Sequence, residues 1–129
     1  MKIQIPEEWF EKASYFRSSA RKRVEEGVYW AACFEAQQSI ELLLKGIQVA
    51  LLSVHEFTHD LAKMLKSLEA AGINIPRELY VYADALTPHY TMARYPGRKP
   101  VVYDELAGRR CIEYAERIWS WAETLVRDP

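Results

Sequence analysis

The sequence predicts an all-α protein, an up-and-down bundle of about five helices, and three observations predict it. Apolar residues recur at helical spacing over most of the chain. Gly27, Gly72, Pro76 and Pro88 fall between the periodic stretches, where chain-breaking residues belong. No run reads as a strand, since Val101-Val102-Tyr103 is too short.

Pro6 suits a first helical turn, because its φ is already helical and its missing N–H would have no partner there. Trp9, Ala13, Phe16, Ala20 and Val24 then share one face, and Gly27 ends the helix. The second helix is the longest, over about residues 28 to 53, with an inward stripe of Cys33, Ala36, Ile40, Leu43, Ile47, Leu51 and Val54. Thr58 is the expected N-cap of a third helix, which carries Leu61, Met64, Leu65 and Leu68 and stops at Gly72. Pro76 opens a fourth, with Leu79, Ala83 and Leu86 inward, and Pro88 ends or kinks it. From Pro88 to Val102 the chain is irregular. Asp104 caps a fifth helix whose inward line is Ala107, Cys111, Tyr114, Ile118, Trp121 and Leu125.

The 129 residues fit a single domain, 1–129, at 50% hydrophobic and 27% charged, the balance of a folded globule. A net charge of -1 gives no overall basic field, so any nucleic-acid contact would be a local patch. No apolar run approaches membrane-spanning length and the N-terminus lacks a secretory pattern, so the expected location is cytoplasmic, with no membrane partner. Cys33 and Cys111 lie on apolar stripes and read as reduced core thiols rather than a disulfide.

Three constellations carry candidate chemistry. His55-Glu56-Phe57-Thr58-His59 fits H-E-x-x-H, whose two histidines hold zinc when they lie one turn apart on a single helix, and Glu78 is a conceivable third ligand. Here the second helix is running out by Val54, and Asp60 adds a charge, so the expectation is no metal and no other cofactor. On the second helix Gln37, Glu41, Lys45 and Gln48 share a face, with Glu41 and Lys45 in the favourable i,i+4 order. That line is either a solvated face with one ion pair or the wall of a polar groove. Basic residues gather in the first helix (Lys12, Arg17, Arg21, Lys22 and Arg23) and in the irregular segment (Arg94, Arg98 and Lys99), the latter beside Tyr90 and Tyr95. Cations beside aromatics suit a phosphate or an RNA backbone, and proline-braced loops present them.

Taken in order, these pieces resemble the HEPN family. The carriers are the Gly27-Val28-Tyr29-Trp30-Ala31-Ala32 junction, Gln38-x-x-Glu41-x-x-x-Lys45, His59-Asp60-Leu61 followed by Met64-Leu65, and Tyr90-x-x-x-Arg94-Tyr95-Pro96. The resemblance implies an HEPN-like helical bundle that commonly dimerises and is often paired with a minimal nucleotidyltransferase in toxin–antitoxin-like or defence systems. It carries over Glu41, Lys45, His59, Tyr90, Arg94 and Tyr95 as a ligand or partner groove. The ribonuclease branch of that family uses an arginine followed by four to six residues and then a histidine, a pattern absent here.

The expectation is therefore a module that binds nucleotide, RNA or a nucleotidyltransferase partner, without a complete catalytic motif. The rivals are a ribonuclease using Arg94 with His59 or His89, and a purely structural adaptor. Four tryptophans and eight tyrosines exceed what one small bundle needs, which argues for a homodimer. Within the groove, Arg94 is expected to anchor an anion or to pair with Glu41, with Tyr95 beneath it.

Overall fold

The computed structural model describes residues 2–97 and 100–127. Five α-helices dominate: α1 (Glu7–Glu26), α2 (Tyr29–Leu52), α3 (Leu61–Ala70), α4 (Glu78–Leu86) and α5 (Glu105–Glu123). A 3-10 turn, Thr87–Tyr90, extends α4. The sequence did not announce a short parallel pair in which β1 (Ile3–Gln4) joins β2 (Val126–Arg127) with Ile3 opposite Val126. Its hydrogen bonds satisfy backbone groups of both termini of the described chain, and Ile5 beyond β1 is fully buried.

α2 is the central post, packed by α1, α3, α5 and the 3-10 turn. Ile40, Leu43, Leu44 and Ile47 on it are essentially inaccessible, each such burial contributing about 1.5–3 kcal/mol. The α1–α2 corner turns on Gly27, whose φ of 78° is left-handed, so that Gly27 and Val28 donate back to Val24 and Arg23. Further along, α1 and β1 approach α2 closely at Gly46. A Cβ there would stand 2.6 Å from Cδ1 of Ile5 and 2.9 Å from Cβ of Trp9.

Three expectations need correcting. The inward stripe of α2 stops at Ile47; Leu51 and Val54 are exposed, because the helix outruns its neighbours and ends at Ser53 in a left-handed conformation. Asp60, not Thr58, caps α3 by accepting from the Lys63 amide, while Thr58 Oγ1 accepts from the Asp60 amide and shapes the turn before it. As expected of Pro88, α4 ends just before it at Leu86, and the chain goes on as a 3-10 turn, near whose start the missing N–H costs no bond. In α5 the innermost residues are Cys111, Ala115, Ile118, Trp119 and Ala122, whereas Tyr114 and Trp121, and Leu125 beyond the helix end, are only partly buried. The helix is wedged among α1, α2 and α4, so its covered face is broader than one stripe. Among the described residues no helix is long and apolar enough to cross a membrane.

Candidate functional site

The polar line of α2 points into the protein, not toward solvent. Gln37, Glu41, Lys45 and Gln48 are all buried, and each is tied. The Lys45 ammonium donates to Glu41 Oε2 at 3.0 Å, and the Gln37 amide donates to Glu41 Oε1 at 3.0 Å. The Gln48 amide clasps Glu56, donating to its carboxylate at 2.8 Å and accepting from its backbone N–H at 3.1 Å. Unmade hydrogen bonds at such depth are expensive, so this closed network fixes the side chains around Glu41.

From Glu41 the network runs outward. His59 Nδ1 lies 3.0 and 3.1 Å from the two carboxylate oxygens. The imidazole stacks on Tyr90 at 3.5 Å between centroids and 14° between planes, and the His59 side chain is 47% exposed. The Arg94 guanidinium lies 4.6 Å from the centroid of Tyr90, 4.8 Å from that of Phe34 and 5.5 Å from that of Tyr95. Lys45, Glu41, His59, Tyr90 and Arg94 thus make one column from core to surface, with Tyr95 at its outer end. Beside that end Trp30, Ala93, Arg94, Tyr95, Pro96 and Tyr103 line an open cleft of about 280 Å³.

Two details differ from expectation. Arg94 does not pair with Glu41; its Nε donates to the Tyr90 carbonyl at 2.7 Å, because Glu41 is already filled by Lys45, His59 and Gln37. Tyr95 is an exposed ring against the guanidinium rather than a buried floor. Of the basic residues expected in this segment, Arg98 and Lys99 lie outside the described residues.

His55 and His59 fall on either side of a corner. α2 ends at Leu52 and α3 begins at Leu61. His55 packs edge-on against Trp9 at 5.0 Å, while the motif's glutamate is held by Gln48. Sequence reasoning missed a different group. Cys33, His89 and Cys111, from α2, the 3-10 turn and α5, are all buried and bring one ligand atom each within 4.8 Å of one another. His89 Nδ1 is 2.6 Å from the Tyr103 hydroxyl. Burial holds the His89 imidazolium below its ordinary range, and a hydrogen bond with Cys33, with burial, pushes the Cys111 thiol up. The stripe positions of both cysteines were readable, but His89 sits in an aperiodic stretch, and periodicity says nothing of where it points.

Away from the column, Glu116 on α5 joins Arg17 and Arg21 on α1, with two 2.8 Å bonds from Arg17. Burial raises the Glu116 carboxyl, but the Arg17 hydrogen bonds and the two positive charges outweigh it and hold the group below the usual carboxylate range.

The HEPN domain model matches residues 6–125. The chain belongs to the HEPN family. Solved structures agree: TT1696 from Thermus thermophilus superposes with a TM-score of 0.83 at 27% identity, over 92% of this chain and 96% of that one. ST0689, described as an archaeal HEPN homologue, gives 0.75 at 27% identity over 94% and 97%. A HEPN domain protein of Thermotoga maritima gives 0.74 at 25% identity over 92% and 96%. No curated protein matches the chain. The six positions carried over from the HEPN resemblance, Glu41, Lys45, His59, Tyr90, Arg94 and Tyr95, are the ones that this structure brings together in the column.

Proposed function

We propose that this HEPN domain is a nucleotide- or RNA-binding module, with phosphate held at Arg94 and His59 and a base in the cleft beside Tyr95. One observation carries the reading. An imidazole and a guanidinium, both exposed, are held against one tyrosine ring, with the imidazole anchored to a buried carboxylate. Such bracing reduces the ordering cost of binding, and the exposed Trp30 and Tyr95 supply stacking faces of the kind single-stranded nucleic acid uses. Arg94→Lys keeps the charge and loses the planar fork. In fluorescence anisotropy with labelled RNA and with nucleotide, it should weaken binding at least about tenfold while the melting temperature stays within a few degrees. A stability loss with binding intact in the folded fraction would make Arg94 a loop brace.

A second reading is favoured by the same His59–Glu41 pair. A carboxylate on Nδ1 fixes the ring and leaves Nε2 for a substrate, the arrangement of a general base and its orienting group. His59 with Arg94 would then support metal-independent RNA cleavage, whereas His89 is buried away from the column. Turnover of labelled RNA in excess chelator, abolished by His59→Ala, distinguishes an enzyme from a binder.

The partner reading rests on the exposed apolar end of α2. Leu51, Leu52, Val54 and Phe57 stand in solvent, Phe57 at 97%, and a second copy of the chain or a minimal nucleotidyltransferase would cover them. Light scattering behind a sizing column tests the homodimer: a clean monomer near 15.0 kDa sinks it. Co-expression and co-purification with the neighbouring gene product test the other.

A further inference from the structure

We propose that Cys33, Cys111 and His89 bind a zinc-class divalent metal ion, and that this ion fastens the 3-10 turn to the bundle. Each ligand comes from a different element, so the cluster is not a by-product of one helix turn. The three ligand atoms already lie within 4.8 Å of one another, and in a tetrahedral site with metal–sulfur bonds of about 2.3 Å they would stand slightly under 4 Å apart. A contraction of a few tenths of an ångström to about one closes the site.

The donor set selects the metal. Two sulfurs and one imidazole suit zinc and exclude magnesium or calcium, which want oxygen. Charge balance favours a divalent ion at this depth. Binding releases the two thiol protons to solvent, and two thiolates with a neutral imidazole make the complex uncharged, the condition for burying an ion cheaply. Tyr103 Oη lies 2.6 Å from His89 Nδ1 and orients the ring, as the outer partners of metal-binding histidines do. Three protein ligands leave one position for water or an incoming group. A thiol pair filling a core would call for neither the histidine nor its tyrosine.

The consequence reaches the column. His89 and Tyr90 are neighbours in the same turn; one faces the thiols and the other stacks on His59. An ion on the first residue therefore holds the second.

The test uses the full chain, purified reduced and titrated with cobalt chloride. One equivalent per chain should give a sulfur-to-cobalt charge-transfer band with intense tetrahedral d–d absorption, displaced by zinc. Zinc should raise the melting temperature by at least about 5 °C. Cys33→Ala and Cys111→Ala, tolerable as small-hydrophobe replacements, should each weaken cobalt binding at least about tenfold. His59→Ala and His55→Ala should leave the band unchanged. If the folded, reduced wild-type chain gives no sulfur–cobalt band, the proposal fails whatever the variants do. It fails equally if cobalt binding survives Cys33→Ala and Cys111→Ala but is lost on removing His55 or His59, which would put the ion at the α2–α3 corner. Loss of RNA binding by Arg94→Lys with the cobalt band intact separates this site from the nucleotide reading.

Discussion

Glu41 and Glu116 are both glutamates that hold two basic side chains, and they do so in opposite surroundings. Glu41 stands in the core with Lys45, their side chains 8% and 9% exposed. Glu116 sits at the α1–α5 seam, 26% exposed, with arginines that are 29% and 51% exposed. Water screens the second cluster and cannot reach much of the first. The seam cluster pins two helices together and needs no further explanation. The buried one removes two charges from water, and apolar residues of similar volume would serve stability as well. That it also carries His59 toward the surface is the reason to read it as a site.

The comparison breaks most sharply at Glu41. Glu41→Ala leaves the Lys45 ammonium buried without a partner, and should cost about 3–5 kcal/mol in urea unfolding. The double change Glu41→Leu, Lys45→Met should recover most of that loss while RNA or nucleotide binding stays weak. Restored binding in the double variant would mean the column contributes nothing to recognition. Next comes a steric control one residue along: Gly46→Ala drives a methyl into Ile5 and Trp9 and should cost about 1–3 kcal/mol without touching any charge.

At the seam, Glu116→Gln should cost only about 0.5–1 kcal/mol at neutral pH, less in high salt. Its pH dependence has a definite sign. The folded carboxyl is held below its unfolded value, so its stabilisation is full above the unfolded carboxylate pKa and fades as pH falls through the folded one. The gap between wild type and Glu116→Gln should therefore close in acid, as thermal melts across pH would record. Smallest of all, Lys12→Ala at the exposed Glu8–Lys12 pair should change stability by no more than about 0.5 kcal/mol. A larger effect there would overturn the ranking by burial.

Which of these was legible beforehand follows from what periodicity records. The helices were readable because Ile40, Leu43 and Ile47 repeat at the spacing of a buried face, and Gly27 and Asp104 mark ends by their own chemistry. The column's membership was readable from the HEPN resemblance, but its depth was not. Glu41 and Lys45 occupy the i,i+4 positions of an ordinary surface pair, and only the packing of other elements onto α2 buries them. The Arg94–Tyr90 bond was hidden for another reason: the competition for Glu41 among Gln37, Lys45 and His59 is decided in space. Leu51 and Val54 continue the apolar stripe past the point where neighbours exist to bury it, which no pattern within one helix can reveal.

The small β1–β2 pair has a kinetic meaning. Most contacts in a helical bundle close short loops, but pairing Ile3 with Val126 closes one of 126 − 3 = 123 residues. The entropy lost in closing a loop grows with the logarithm of its length, so this contact is among the costliest to bring together. It should form after the helices have docked and open before them. In native-state hydrogen exchange the Ile3 amide, which donates to the Leu125 carbonyl, would then exchange through local opening while the amides of central α2 wait for global unfolding.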